Sequence, residues 1–136
     1  MRFKLFLENE ELIEQCNKKY PLAGRQVSGL DVNPRVDNTN SISASFNDYF
    51  ILKGIREFPL SDFQTTEPHK LFYAANDFAR LKSLALEISQ SKTISPIIVA
   101  FDAKGPYILE GGHRVAALHT LKIQTVPAMI VIDLDE

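Results

Sequence analysis

Cysteine is scarce and long apolar runs are missing in this chain, and each of these features excludes a class of protein. The single cysteine, Cys16, excludes an internal disulfide, and the three histidines, His69, His113 and His119, form no cluster with zinc-like spacing. No apolar run is long enough to span a bilayer, and the apolar start over residues 1–7 is too short for a signal peptide. We therefore expect a cytoplasmic protein that has no membrane partner and no metal site of its own.

Excess positive charge is missing as well. The chain has 15 Lys and Arg against 17 Asp and Glu, which gives a formal net charge of -2. Proteins that bind nucleic acid phosphates usually carry a basic field, so this balance disfavours a nucleic acid partner but leaves a local basic patch open. With 136 residues, of which 45% are hydrophobic, the chain can bury the core of one domain. We expect residues 1–136 to form a single domain.

Two of the six glycines stand side by side, in the segment YILEGGHRVAAL over Tyr107–Leu118. A short strand there runs through Gly111 and Gly112 into a helix that begins with His113 and Arg114. The glycines allow a tight turn and close approach of a ligand, while the first turn of a helix offers N–H groups and the positive end of its dipole. The segment is typical of a phosphate site; the alternative is a tight turn before a capped helix.

Alternating and helical spacings of apolar residues predict a mixed α/β fold. Strands are expected at residues 1–7, 26–32, 41–52, 55–60, 97–99 and 127–132. The last is predicted at a sheet edge, where Pro127 is tolerated. Helices are expected at residues 10–19 after an Asn9 cap, 78–88 after a cap by Asn76 or Asp77, and 112–121. Residues 61–75 read as an exposed loop that lies over a pocket or is packed down by its aromatic side chains.

The segments that follow one another from residue 55 onward resemble the ParB/sulfiredoxin-like superfamily. The resemblance rests on Ile55–Leu60 as the first strand, Phe78–Ile88 as the first helix, Ser95–Phe101, the glycine turn and Leu121–Pro127. It covers residues 55–133 and implies a ParB/sulfiredoxin-like core, which is a small mixed sheet with helices packed on it. Residues 1–54 have no counterpart and are expected to form an N-terminal strand–helix–strand extension.

The resemblance also implies which residues hold a ligand. In that superfamily the glycine turn binds the phosphates of a nucleotide or the backbone of a nucleic acid, and this role passes to the turn residues Gly111, Gly112, His113 and Arg114. The first helix supplies polar contacts to the same ligand. On that helix, the sulfiredoxin pattern of an aspartate, a basic residue and a serine is similar to Asp77, Arg80 and Ser83.

Departures from the superfamily patterns reduce the number of reactions that the chain could catalyse. Sulfiredoxins place a cysteine just before the His-Arg pair, where this chain has Gly112, so sulfinic acid repair is excluded. Chromosome-partitioning ParB proteins add a helix-turn-helix reader after the domain, which we do not expect here because the chain ends at Glu136. Free-amino-acid kinases have an Asp-Gly-His-x-Arg pattern, whose aspartate aligns with Glu110. Glu110 is therefore a candidate catalytic or Mg²⁺-adjacent carboxylate; alternatively it caps the helix or pairs with Arg114.

Three functions are compatible with these residues. The leading hypothesis is binding of a nucleoside triphosphate such as ATP or CTP with Mg²⁺, extended to hydrolysis or phosphoryl transfer with Glu110 and His113 as catalytic residues. His113 either donates to phosphate and transfers protons or is structural. The alternatives are a ParB-like nucleic-acid-binding or nuclease module, and a non-enzymatic adaptor or immunity protein that binds a protein partner through residues 1–54. Whether the protein is an enzyme stays open.

Overall fold

Helices and strands alternate along the chain in a computed structural model that describes residues 2–37, 39 and 49–133, with side chains from Glu10 onward. The helices are α1 (Arg2–Lys19), α2 (Pro68–Leu71), α3 (Ala75–Ser91) and α4 (Gly112–Thr120), and a 3-10 turn spans Leu60–Asp62. The strands are β1 (Gln26–Val27), β2 (Leu30–Val32), β3 (Tyr49–Ile51), β4 (Arg56–Pro59), β5 (Thr93–Ile94), β6 (Ile97–Asp102), β7 (Gly105–Glu110) and β8 (Thr125–Asp133). The predicted strands within residues 41–48 lie outside the described residues.

The strands form two mixed sheets. In the larger sheet the order is β3, β8, β6, β7, and β4 pairs with β8 beyond the end of β3. Strand β8 runs parallel to β6 and antiparallel to β3 and β4, while β6 and β7 form an antiparallel pair. In the smaller sheet β1 and β2 are antiparallel and β2 runs parallel to β5. The predicted mixed α/β fold, a small mixed sheet with helices packed on it, is confirmed.

Strand β6 lies in the middle of the core because its side chains are apolar on both faces. Ile97, Val99 and Phe101 belong to the main cluster, which the helices cover with Cys16, Ala85, Ile88, Val115 and Leu118. Ile98 and Ala100 point to the other face and pack in a second cluster with Val131. The Ile-Ile-Val run therefore behaves as a strand buried on both faces, as its composition predicts.

The prediction that β8 is an edge strand is wrong. Strand β8 pairs with β6 on one side and with β3 and β4 on the other, so it is central. Pro127 is tolerated there because it faces Glu57, whose own N–H donates instead to the carbonyl of Pro21 at 2.9 Å. On the opposite side, pairing with β6 begins only at Ala128. The missing N–H of the proline thus falls where neither neighbour requires it.

The N-terminal extension also differs from its predicted strand–helix–strand order. Residues 2–7 continue helix α1 instead of forming a strand, and Asn9 lies inside that helix rather than at its cap. An alternation over six residues is weak evidence for a strand, and a helix already nucleated at residues 10–19 extends at little cost through good helix formers such as Leu, Lys and Arg. The helix is followed by a hairpin, β1 and β2, instead of one strand over residues 26–32.

The hairpin turns at Ser28 and Gly29, whose φ angles are +52° and +79°. Positive φ at both central residues is the geometry of a type I′ turn, one of the two common two-residue hairpin turns. The Ser28 hydroxyl donates to the carbonyl of Thr125 at 3.3 Å, which ties the turn to the start of β8. Because β2 then pairs with β5, the extension lies against the core just before β6.

Candidate functional site

The predicted strand–turn–helix is present, and only one of its two glycines is required by the backbone. Gly111 has a φ of +112°, and a Cβ built on it would lie 2.5 Å from Cγ2 of Ile97. A side chain is therefore excluded at Gly111 by conformation and by space. A Cβ on Gly112 would meet Cζ of Phe72 at 3.6 Å, an ordinary contact, so that position has room for a small side chain.

The first turn of α4 presents backbone amides without a side-chain cap. Gly111 is the N-cap residue, and the first backbone hydrogen bond of the helix runs from the Val115 N–H to the Gly111 carbonyl at 3.0 Å. The amides of Gly112, His113 and Arg114 therefore precede the hydrogen-bond ladder of the helix. Such amides, at the positive end of the dipole, suit an anion.

His113 is held from two directions by residues outside its own helix. Its Nε2 lies 3.0 Å from Oδ1 of Asp77, in the first turn of α3. Its ring stacks on Phe72 with centroids 4.4 Å apart and planes 14° from parallel. The prediction that Asn76 or Asp77 caps α3 is wrong, because the helix begins at Ala75 and its N-cap residue is Ala74.

Part of the segment predicted as a loop over residues 61–75 is also helical, because it contains most of the 3-10 turn and all of α2. Phe72 of this segment packs on the ring of His113.

Arg114 points to a different part of the molecule from its neighbour His113. Its Nη1 donates to the carbonyl of Ser95 at 2.9 Å and also to the carbonyl of Pro96. Burial lowers the pKa of Arg114, and the negative charges of Asp37 and Glu110 act in the opposite direction. The guanidinium thus holds the chain before β6 in place and lies near carboxylates. Arg114 therefore has a structural role in addition to being a candidate ligand contact.

A cleft of about 450 Å³ opens beside Arg114, between α3 and the smaller sheet. Strands β2 and β5 form one wall, and the α3 residues Leu84, Glu87, Ile88 and Ser91 form the other. Asp31 and Asp37 place two more carboxylates at the cleft. The wall formed by β2 belongs to the N-terminal extension, whose part in the site the sequence did not reveal.

The predicted α3 residues are only partly brought together. Asp77 reaches His113, whereas Arg80 and Ser83 are exposed on the same helix. Glu110 ends β7 directly before the turn, and its charge acts on Arg114. Sequence reasoning missed Phe72 and Asp31. Phe72 carried only the weak signal of an aromatic residue in a loop, and Asp31 carried none.

A larger groove, of about 930 Å³, lies at the far end of α4. Its lining includes His119 and Lys122, and Nδ1 of His119 lies 2.7 Å from the hydroxyl of Thr66. His119 is exposed, and this hydrogen bond joins the end of α4 to the segment before α2. Within the described ranges, no helix is long and apolar enough to cross a membrane. Over the same part of the chain, no group of three His, Cys, Asp or Glu side chains could hold a metal ion.

This fold and its glycine turn define a ParB-like α/β domain, and comparison with known proteins agrees. The family model of the ParB N-terminal domain matches residues 45–136. The chain therefore belongs to the ParB N-terminal domain family. Among solved structures, it is similar to a sulfiredoxin from Arabidopsis thaliana, with 29% identity, a TM-score of 0.45, and coverage of 56% of this chain and 82% of that one. No curated protein matches the sequence.

Proposed function

We propose that the protein binds a nucleoside triphosphate, with the phosphates at the first turn of α4 and the nucleoside in the adjoining cleft. The observation that carries this proposal is the position of Arg114. Its backbone lies in the uncapped first turn of α4, while its side chain lines the cleft of about 450 Å³. One residue therefore joins an anion-binding turn to a cavity of the size that small ligands occupy.

The lining of the cleft suits a nucleoside better than a phosphate. Val32, Leu84 and Ile94 offer apolar surface for a base, and the hydroxyls of nearby serine and threonine side chains can bond a ribose. The carboxylates of the cleft repel phosphate but accept hydrogen bonds from an exocyclic amino group, which adenine and cytosine carry and uracil lacks. ATP and CTP are therefore expected to bind more tightly than UTP; guanine also carries an exocyclic amino group, so GTP is tested beside them.

The proposal includes Mg²⁺, which would enter with the nucleotide. Protein sites usually hold Mg²⁺ through one or two carboxylates together with substrate phosphates. Glu110 ends β7 immediately before the phosphate-binding turn, so its carboxylate is our candidate for this role. The ion would neutralise charge on the phosphates. Hydrolysis or phosphoryl transfer, with Glu110 and His113 as catalytic residues, is the further step of the same proposal.

Calorimetric titration with the Mg²⁺ complexes of ATP, CTP, GTP and UTP tests the binding step. We expect ATP or CTP to bind at least about tenfold more tightly than UTP, which corresponds to one lost hydrogen bond to a charged group. Arg114→Gln removes the charge, and its shorter side chain also releases the Ser95 and Pro96 carbonyls, so binding should weaken by about tenfold or more. Thermal unfolding of the variant controls for loss of fold. If none of the four nucleotides gives a heat of binding, the proposal is contradicted.

Membership of the ParB N-terminal domain family favours a second candidate, in which the same turn holds a backbone phosphate of a nucleic acid. The formal net charge of -2 disfavours it. A gel shift with DNA at low salt, weakening steeply as salt is added, would support this candidate, and its absence would remove it.

A protein partner that binds through residues 1–54 also stays a proposal. Exposed apolar side chains in this segment, such as Leu22, which is 65% exposed, could contact such a partner.

A further inference from the structure

Asp77 and His113 form a pair that links the first turns of two helices beside the phosphate-binding turn. Their hydrogen bond, from Nε2 to Oδ1, measures 3.0 Å, and both side chains are partly shielded, with 26% of His113 and 35% of Asp77 exposed. The face of the imidazole rests on Phe72. The ring is therefore fixed both in position and in plane, whereas a solvated histidine would rotate among rotamers.

The hydrogen bond also decides which ring nitrogen can accept a proton. A carboxylate oxygen only accepts, so Nε2 carries the hydrogen and donates it to Asp77. In the neutral ring Nδ1 is then the basic nitrogen. Nδ1 is bonded to the ring carbon that joins the side chain, so it is the ring nitrogen nearer to the backbone of His113, which belongs to the first turn of α4. A hydrogen bond that orients one nitrogen so that the other can act is a common device at active sites.

We propose that Asp77 is a positioning residue that holds His113 with Nδ1 as the base for attack on the terminal phosphate of the bound nucleotide. This inference rests on the proposed function. A water oxygen forms a bond to the γ-phosphorus while the bond from that phosphorus to the bridging oxygen breaks, and its electron pair leaves with the nucleoside diphosphate. The water proton passes to Nδ1 of His113. The resulting imidazolium is paired with the Asp77 carboxylate and then releases the proton to solvent.

A purely structural link between the helices would need the hydrogen bond but not the base. The two roles separate in Asp77→Asn, because the amide oxygen still accepts from Nε2 while the negative charge that stabilises the imidazolium is lost. We expect kcat to fall by about tenfold or more with KM and the dissociation constant unchanged within about twofold. His113→Ala should lose about 100-fold in kcat, and added imidazole should restore part of it.

His119→Gln is the matched control, since His119 is bonded to Thr66 at the other end of α4 and should keep full turnover. A long-range proton–nitrogen correlation spectrum of the ring nitrogens reports the tautomer without any nucleotide, and should show hydrogen on Nε2 of His113 and not on Nδ1. Hydrogen on Nδ1, or undiminished kcat in Asp77→Asn, would overturn the inference. Tight nucleotide binding without turnover would overturn it too and leave the binding proposal standing, whereas no binding would remove both.

Discussion

The carboxylate of Asp77 accepts a hydrogen bond from Nε2 of His113 although 36 positions separate the two residues in the chain. The bond joins the first turns of α3 and α4, so the positive ends of the two helix dipoles lie close together. Asp77 is the acidic residue in the first turn of α3 and supplies negative charge at this junction. The bond therefore stabilises the packing of the two helices in addition to orienting His113.

Gly111→Ala and Gly112→Ala should have very different effects on stability. At Gly111 a methyl group meets Ile97 at 2.5 Å and the φ is +112°, so we expect a loss of about 3 kcal/mol in the free energy of unfolding. At Gly112 the methyl group makes an ordinary contact with Phe72 and favours the helix, so the change should stay within about 1 kcal/mol. Urea denaturation of both variants measures the difference. Equal losses would contradict the backbone geometry of the turn.

Much of the core was predictable from the sequence because its signals are local. The Ile-Ile-Val run, the helical spacing of α3 and the glycine pair before α4 each specify their element within about ten residues. The central position of β8 was not predictable, because it depends on contacts such as the Leu52 N–H to the Ile130 carbonyl at 2.9 Å. The direction of the Arg114 side chain was not predictable either. Its acceptors are the backbone carbonyls of Ser95 and Pro96, and every residue carries such a carbonyl, so the sequence does not single them out.

Arg56 is buried, and replacing it should loosen the attachment of α1. Its guanidinium donates to the Tyr20 carbonyl at 3.1 Å, to Oδ1 of Asn17 at 2.9 Å and to the Lys53 carbonyl at 2.8 Å. Arg56→Met leaves these acceptors without donors, and we expect unfolding free energy to drop by about 2–3 kcal/mol. Arg25→Met, at an exposed position, is the control and should change stability by less than about 0.5 kcal/mol. Equal stability of the two variants would show that Arg56 is not an anchor.

The Cys16 thiol should make stability depend on alkaline pH. Burial raises the pKa of Cys16 from its ordinary value of 9.0 to about 11, although the charges of Lys19 and Arg56 oppose the shift. The unfolded chain releases this proton first, so stability is fully present below pH 9 and is lost as the pH rises toward about 11.

Cys16→Ala isolates this effect, because all other titrating groups are shared with the wild type. The stability of the wild type relative to the variant should fall by about 2–3 kcal/mol between pH 8 and pH 11. Denaturation curves at several pH values provide the measurement. A difference that does not change with pH would mean that the thiol is not shielded in the folded protein.

Nucleotide binding at the first turn of α4 is the central claim, and an amide correlation spectrum of the labelled protein tests it most directly. On addition of the Mg²⁺ complex of ATP or CTP, we predict the largest shifts at Gly112, His113 and Arg114, followed by the cleft residues Thr93 and Ser95. UTP at the same concentration should shift them less. An unchanged spectrum with every nucleotide, or shifts confined to the groove around His119 and Lys122 at the other end of the helix, would contradict the account.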